Sequence, residues 1–133
     1  MKPENPKRLF PLFLVTDLDA SQAFYERHGF AVVHRTDNYL QVGYGDGNEL
    51  ELCFMKPDAF PDGSVRPAFA GKGVIVSVPT PDADEKYQAM KRLGAKLLSE
   101  PSDKPWGWRS FFTVDPNGVV LDFFHVYKQM AVA

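Results

Sequence analysis

The sequence predicts an α+β fold assembled from two copies of one strand-helix-strand unit, each extended by further strands into a βαβββ module. Three observations carry this. Residues 12–33, LFLVTDLDASQAFYERHGFAVV, and 75–98, IVSVPTPDADEKYQAMKRLGAKLL, each hold an apolar strand, an Asp-Ala helix start, a short amphipathic helix, a glycine and another apolar run. Aligning Val15 with Val78 also aligns Asp19 with Asp82 and Ala20 with Ala83, and brings Gly29 onto Gly94 if the second helix is two residues longer. A period of roughly 60 residues is too long for a solenoid repeat, which leaves a duplicated half-domain.

The first module begins with RLFPLFLV, a strand in which Pro11 suggests an edge position or one where the missing amide is tolerated, because proline brings no amide to a sheet ladder. Asp17 or Asp19 then caps the helix DASQAFYERHG, with Ala20, Phe24 and Ala23 expected as its apolar stripe and Gly29 as its left-handed stop. His28 falls in the last turn, where an imidazolium suits the helix dipole. FAVVHR and YLQVGYG follow as strands, then a GDGN turn and the strand ELELCFM. In that strand Leu50, Leu52 and Phe54 share the face expected to pack on the helix, and Glu49, Glu51, Cys53 and Met55 share the other. Residues 57–71, rich in Pro and Gly, form the expected connection.

The second module opens with the strand GVIVSV and continues through the helix DADEKYQAMKRLG and a strand AKLL to the loop SEPSDKPWGW. It closes with the hairpin RSFFTV-DPNG-VVLDFFHV, whose Pro116 and Gly118 after Asp115 suit a type I turn. Leu121 and Phe123 are the natural helix-packing pair of the last strand, so Asp122 is expected on the opposite face and His125 on theirs. The whole, residues 1–133, is expected to be a single domain, with module one at about 8–56 and module two at about 72–128.

Composition narrows the function. A chain of 133 residues buries about two thirds of its unfolded surface. Fifteen basic against 17 acidic side chains leave a net charge of -2, which argues against an electrostatically driven nucleic-acid binder. No apolar run approaches the roughly 18 residues of a membrane span, and MKPENPKRLF lacks the apolar core of a signal peptide, so a cytoplasmic location is expected. The one cysteine, Cys53, cannot form an internal disulfide and reads as a buried small hydrophobe. No Ser-His-Asp or Cys-His pairing and no phosphate-cradling glycine loop is legible.

The segments VTDLDASQAFYERHGF, VPTPDADEKYQAMKRLG and WGWRSFFTVDPNGVVLDFF, spread over most of residues 8–126, resemble the vicinal oxygen chelate superfamily, which takes in glyoxalase I, extradiol dioxygenases and the fosfomycin and bleomycin resistance proteins. The resemblance implies paired βαβββ modules, each cupping a mixed sheet around a cleft, commonly completed in a homodimer. Metal-using members carry a donor on the first strand of each module and an acid on the last. Here Phe10 and Gly73 stand at the expected first-strand places, and only the final-strand acids, Glu51 and Asp122, remain as metal candidates. Two carboxylates without imidazole or thiolate make a poor transition-metal site. The resemblance therefore points to the metal-free, bleomycin resistance-like branch, with no cofactor and a small-molecule ligand as partner.

The residues expected to line the cleft are Phe10, Leu12, Tyr39, Gln41, Glu51, Trp106, Trp108, Arg109, Phe111, Asp122 and Phe124. The tryptophans offer rigid aromatic area at low entropic cost. Arg109 either holds an anionic group or pairs with Asp122 or Glu51, and the facing of His34 is not readable. Two alternatives stay open: a metal-dependent lyase or oxygenase using Glu51, Asp122 and a further donor, and a dimeric interaction module whose cleft is filled by its own Phe10.

Overall fold

The structure, a computed structural model, describes residues 10–57 and 68–129. Most of the expected connection, residues 58–67, lies outside the described residues, as do Arg8 and Leu9 of the first expected strand. The chain divides into two compact units, Met1–Ala68 and Phe69–Ala133. The architecture is the expected α+β one, two four-stranded mixed sheets, each with one helix.

The first unit runs β1 (Leu12–Leu14), α1 (Leu18–Arg27), β2 (Ala31–Arg35), β3 (Tyr39–Tyr44), a one-turn 3-10 helix at Asp46–Asn48 and β4 (Leu50–Met55). Its strand order is β1-β4-β3-β2, with β1 parallel to β4 and the other pairs antiparallel. Pro11 therefore precedes an edge strand, and its carbonyl accepts from the Cys53 amide at 3.0 Å. Asp17 rather than Asp19 is the helix cap, its Oδ1 accepting from Ala20 N at 2.9 Å. The buried stripe of α1 is Leu18, Ser21 and Tyr25, with His28 buried at the C-cap. This corrects the expected stripe: Ala23 is exposed and Phe24 half-buried, because Tyr25 is the ring that meets Phe54 of β4 and Phe30. Leu40, Val42, Leu52, Phe54 and Phe13 complete that core.

The second unit runs β5 (Ile75–Pro79), α2 (Ala83–Arg92), β6 (Ser102–Asp103), β7 (Trp108–Val114) and β8 (Val120–Val126), in the order β5-β8-β7-β6 with β5 parallel to β8. Asp82 caps α2 by accepting from Asp84 N and Glu85 N. Val78, Tyr87, Met90, Phe111, Leu121 and Phe123 are buried between helix and sheet. The expected strand AKLL is reduced to a single bridge, Leu97 to Thr113. The Ser99 hydroxyl takes the Phe112 amide at 2.9 Å and Pro101 follows, so regular pairing resumes only at Ser102. The DPNG turn closes as expected: Asp115 Oδ1 accepts from Asn117 N and Val119 N, both at 2.8 Å, and Gly118 sits at φ +89°. Gly71 lies against that turn so closely that a Cβ on it would meet Gly118 O at 3.1 Å.

Both helices span ten residues, so the second helix is not two residues longer, and the repeats align without insertion from strand to glycine at an offset of 65. Asp17 and Asp82 are 65 positions apart, as are Gly29 and Gly94, and Val15 and Thr80 make the same bond, each donating to the carbonyl of the last-strand residue beside it, Met55 or Phe124. The alignment of Val15 with Val78 is thereby shifted by two.

The repeated cap makes a paired prediction. Asp17→Ala and Asp82→Ala should each lower stability by about 1 kcal/mol in denaturant unfolding, since each exposes first-turn amides. A loss below about 0.3 kcal/mol for either would show that its cap contributes nothing.

Candidate functional site

In a sheet packed on one helix, alternation gives each strand one face to the core and one to whatever else the module meets. In the first unit the face away from α1 carries Leu12 and Leu14 of β1, Tyr39, Gln41 and Gly43 of β3, and Glu51, Cys53 and Met55 of β4. Leu12 is well exposed and Phe10, just before β1, is half-buried. A bulge in β2 between Val32 and His34 sets His34 opposite Gln41, which puts the imidazole on this face, 5.8 Å from the Tyr39 ring between centroids. The bulge supplies the facing that alternation alone leaves open.

The polar groups on this face are linked. The Tyr39 hydroxyl lies 3.0 Å from both Gln41 Oε1 and Cys53 Sγ; with one proton it donates to one and can accept from the thiol for the other. Gln41 Nε2 in turn donates to Glu51 Oε2. Burial pushes the Tyr39 phenol far above its ordinary range, reinforced by the Cys53 contact and the Glu51 charge. Burial likewise raises the Cys53 thiol, with Glu51 adding to the effect and the Tyr39 hydrogen bond opposing it. Both groups are thus held in their neutral, hydrogen-bonding forms. Cys53 is wholly buried.

In the second unit the face away from α2 carries Ile75, Ser77 and Pro79 of β5, Trp108, Ser110 and Phe112 of β7, and Val120, Asp122 and Phe124 of β8. It has three zones. At one end Trp108 stacks on Phe124, with centroids 3.7 Å apart and planes 11° from parallel. In the middle lie Ser77, Ser110 and Asp122, where Ser77 Oγ donates to Asp122 Oδ2 at 3.1 Å. At the other end an apolar groove of about 530 Å³ is lined by Ile75, Leu98, Phe112 and Val120, with Gly71, Gly73 and Val74 at its margin. That volume falls in the range of about 300–1,000 Å³ usual for small-molecule sites.

Several expected site residues stand elsewhere. Phe111 is on the helix face, fully buried against Tyr87 and Phe123, because the DPNG hairpin pairs it with Phe123. Arg109 pairs with His125 on the same helix face, where its guanidinium forms ion pairs with Asp84 at 2.8 Å and Asp103 at 3.0 Å. Those two carboxylates hold it above its ordinary range, and it in turn lowers Asp84; neither Asp122 nor Glu51 is its partner. His125, as expected, lies on the helix side, its Nδ1 accepting from Ala83 N at 2.9 Å. Trp106 sits in the turn closed by Gly107 N to Lys104 O at 3.0 Å and is about half exposed at 53%. The residues the sequence did not single out, Ile75, Ser77, Leu98, Ser110, Phe112 and Val120, follow from strand register. Counting outward from Asp115 and Val119 across the turn sets Phe112 opposite Asp122.

The donor positions also change. The 65-residue offset makes Ile75, not Gly73, the counterpart of Phe10. Cys53 pairs with Leu12 as Asp122 pairs with Ser77, so Cys53 rather than Glu51 is the counterpart of Asp122. Neither Phe10 nor Ile75 offers a donor, and among the described residues no three His, Cys, Asp or Glu side chains gather as a metal site. No helix among the described residues is long and apolar enough to cross a membrane.

Residues 10–123 match the family model for the Glyoxalase/Bleomycin resistance protein/Dioxygenase superfamily. The chain belongs to that superfamily. Among solved structures it is similar to a glyoxalase/bleomycin resistance protein/dioxygenase from Nocardioides, with TM-score 0.72, 21% identity, and 98% of this chain and 93% of that one covered. It is also similar to a bleomycin resistance determinant encoded on the transposon Tn5, with TM-score 0.69, 23% identity, and coverage of 92% and 100%. A bleomycin-binding protein complexed with bleomycin matches with TM-score 0.65, 23% identity, and coverage of 95% and 100%. At these identities the structural likeness is one of fold. No curated protein matches the sequence.

The buried, neutral thiol sets a simple test. In the native protein at pH 8, Cys53 should react with a disulfide reagent at least about a hundredfold more slowly than after unfolding, since burial blocks access and disfavours the thiolate. Reaction within seconds in the folded state would contradict the geometry around Tyr39.

Proposed function

We propose that this protein binds or sequesters a small flat or aromatic molecule without a transition metal, as a cytoplasmic homodimer. The observation that carries the reading is the layout of the second module's helix-free face, where an aromatic stack, a row of polar groups and an apolar groove follow one another on adjacent strands. Trp108 already lies flat on Phe124, which presents its other face as a platform for a planar group. The first module, by itself, carries a separate hydrogen-bonding surface of Tyr39, Gln41 and Glu51 with Leu12 on the same face. The fold shared with a protein complexed with bleomycin supports binding as a use of this architecture. The alternative, a metal-dependent lyase or oxygenase, requires donors that Phe10 and Ile75 do not supply. A closed two-fold dimer is the commonest solution for a chain of this kind.

Planar aromatic compounds, bleomycin included, should quench tryptophan fluorescence, and Trp108→Ala, if folded, should weaken a hit by about 1–3 kcal/mol. Arg109→Ala, on the opposite face, should leave affinity unchanged. Equal affinity of wild type and Trp108→Ala, or a loss confined to Arg109→Ala, would reject this face as the site.

Protein purified without chelator or affinity metal should hold well under one zinc, nickel, manganese or iron per chain by elemental analysis. Light scattering should give about twice the chain mass of 15.0 kDa. Stoichiometric metal lost together with an activity would favour the enzyme, and a monomer at micromolar concentration would remove the dimer.

A further inference from the structure

The middle of the second module's helix-free face holds a polar imbalance that the fold does not resolve. Asp122 is 5% exposed and Ser110 wholly buried, and Asp122 Oδ1 and Ser110 Oγ have no hydrogen-bond partner among the described residues. The two groups are diagonal neighbours on adjacent antiparallel strands, since Ser110 pairs with Phe124 and Asp122 with Phe112. Buried polar atoms are nearly always satisfied, and a buried carboxylate without a cation is among the costliest groups to leave short. Ser77 serves only Oδ2. The cations nearby in sequence are engaged elsewhere. Arg109 is bound to Asp84 and Asp103 on the other face, and Lys104 donates to Ser102 Oγ at 2.6 Å and to the Ser110 carbonyl at 3.1 Å, with its Nζ over the Phe112 ring.

The groove adjoins this pair directly. Phe112, one of its walls, is the cross-strand partner of Asp122, and Val120 and Ile75 each lie one same-face position before Asp122 and Ser77 on their strands. Ile75 and Leu98 are 56% and 50% exposed, so the apolar lining is open to an entering group.

Resting on the small-molecule reading above, we infer that this face takes an organic cation, a protonated amine, amidine or guanidinium joined to an apolar or aromatic body, with its N–H groups on Asp122 Oδ1 and Ser110 Oγ and its body in the groove of Ile75, Leu98, Phe112 and Val120. A cation suits the pair better than a neutral donor, because a charge-assisted bond to a carboxylate is about twice as strong as a neutral one. An anion or a purely apolar ligand would leave the carboxylate unmatched.

The test compares 1-naphthylmethylamine, as its ammonium ion, with the neutral 1-naphthylmethanol, by calorimetry and tryptophan fluorescence on the full-length protein. The amine should bind at least about tenfold tighter, the worth of a hydrogen bond to a charged group. Asp122→Asn should abolish that difference without lowering the melting temperature, because its amide oxygen still accepts from Ser77 while a buried charge is removed. Leu98→Asn should weaken both probes by a similar factor. Equal binding of amine and alcohol to the wild type would overturn the cation assignment and leave small-molecule binding standing. A preference for the amine that survives Asp122→Asn, or an Asp122→Asn protein that melts well below the wild type, would show that the acid is not the anchor. Failure of these probes and of every planar compound to perturb Trp108 would overturn both readings.

Discussion

Each sheet in this protein must give one face to a single helix, and nearly every other feature follows from that constraint. Tyr25 of the first helix meets Phe54 and Phe30, and Tyr87 of the second meets Phe111, which stacks on Phe123. These rings are large, and fully burying one contributes roughly 1.5–3 kcal/mol, so the facing of the strands that carry them cannot be exchanged without exposing several at once. Once Phe54 and Phe123 are committed to the core, Glu51, Cys53 and Asp122 are committed to the opposite face. The chemistry available to the protein is what those opposite faces display.

The two modules use that freedom differently. In the first, Cys53, Tyr39, Gln41 and Glu51 form a chain of hydrogen bonds, and burial keeps the thiol and the phenol neutral. In the second, Asp122 occupies the place that Cys53 holds in the first, and among the described residues only one of its oxygens is served. The substitution of an acid for a thiol at one position of a repeated frame thus separates a thiol with a hydrogen-bond partner from a carboxylate with one oxygen that has none among the described residues.

Much of the fold was legible because it is written in local chemistry. The caps at Asp17 and Asp82, the glycines that end both helices, the DPNG turn and the alternation around Leu121 and Phe123 each act within a few residues. What was misplaced depends on longer-range pairing. The two repeats correspond at an offset of 65 with strand-to-helix turns of equal length, and only the bonds of Val15 and Thr80 to the neighbouring strand show that Val15 matches Thr80 rather than Val78. AKLL has the composition of a strand but yields its place to Ser102 and Asp103, because Ser99 takes over a ladder amide. Without a register, the sequence alone places Phe111 and Arg109 on the ligand face. The three-residue loop from Pro116 to Gly118, a type I turn followed by a left-handed glycine, pairs Asp115 with Val119 and sends both to the helix side. The bulge that turns His34 toward Tyr39 has no signature in the local sequence.

The central claim is that ligands meet the face defined by Trp108, Phe112, Asp122 and Phe124, and that the helix face is closed to them. Intermolecular nuclear Overhauser contacts between a bound aromatic probe and the protein's aromatic rings test it most directly. The account predicts contacts from the probe to Trp108 and Phe112 and none to Phe111, Phe123 or Tyr87. Contacts to those last three rings, with Trp108 and Phe112 silent, would contradict it.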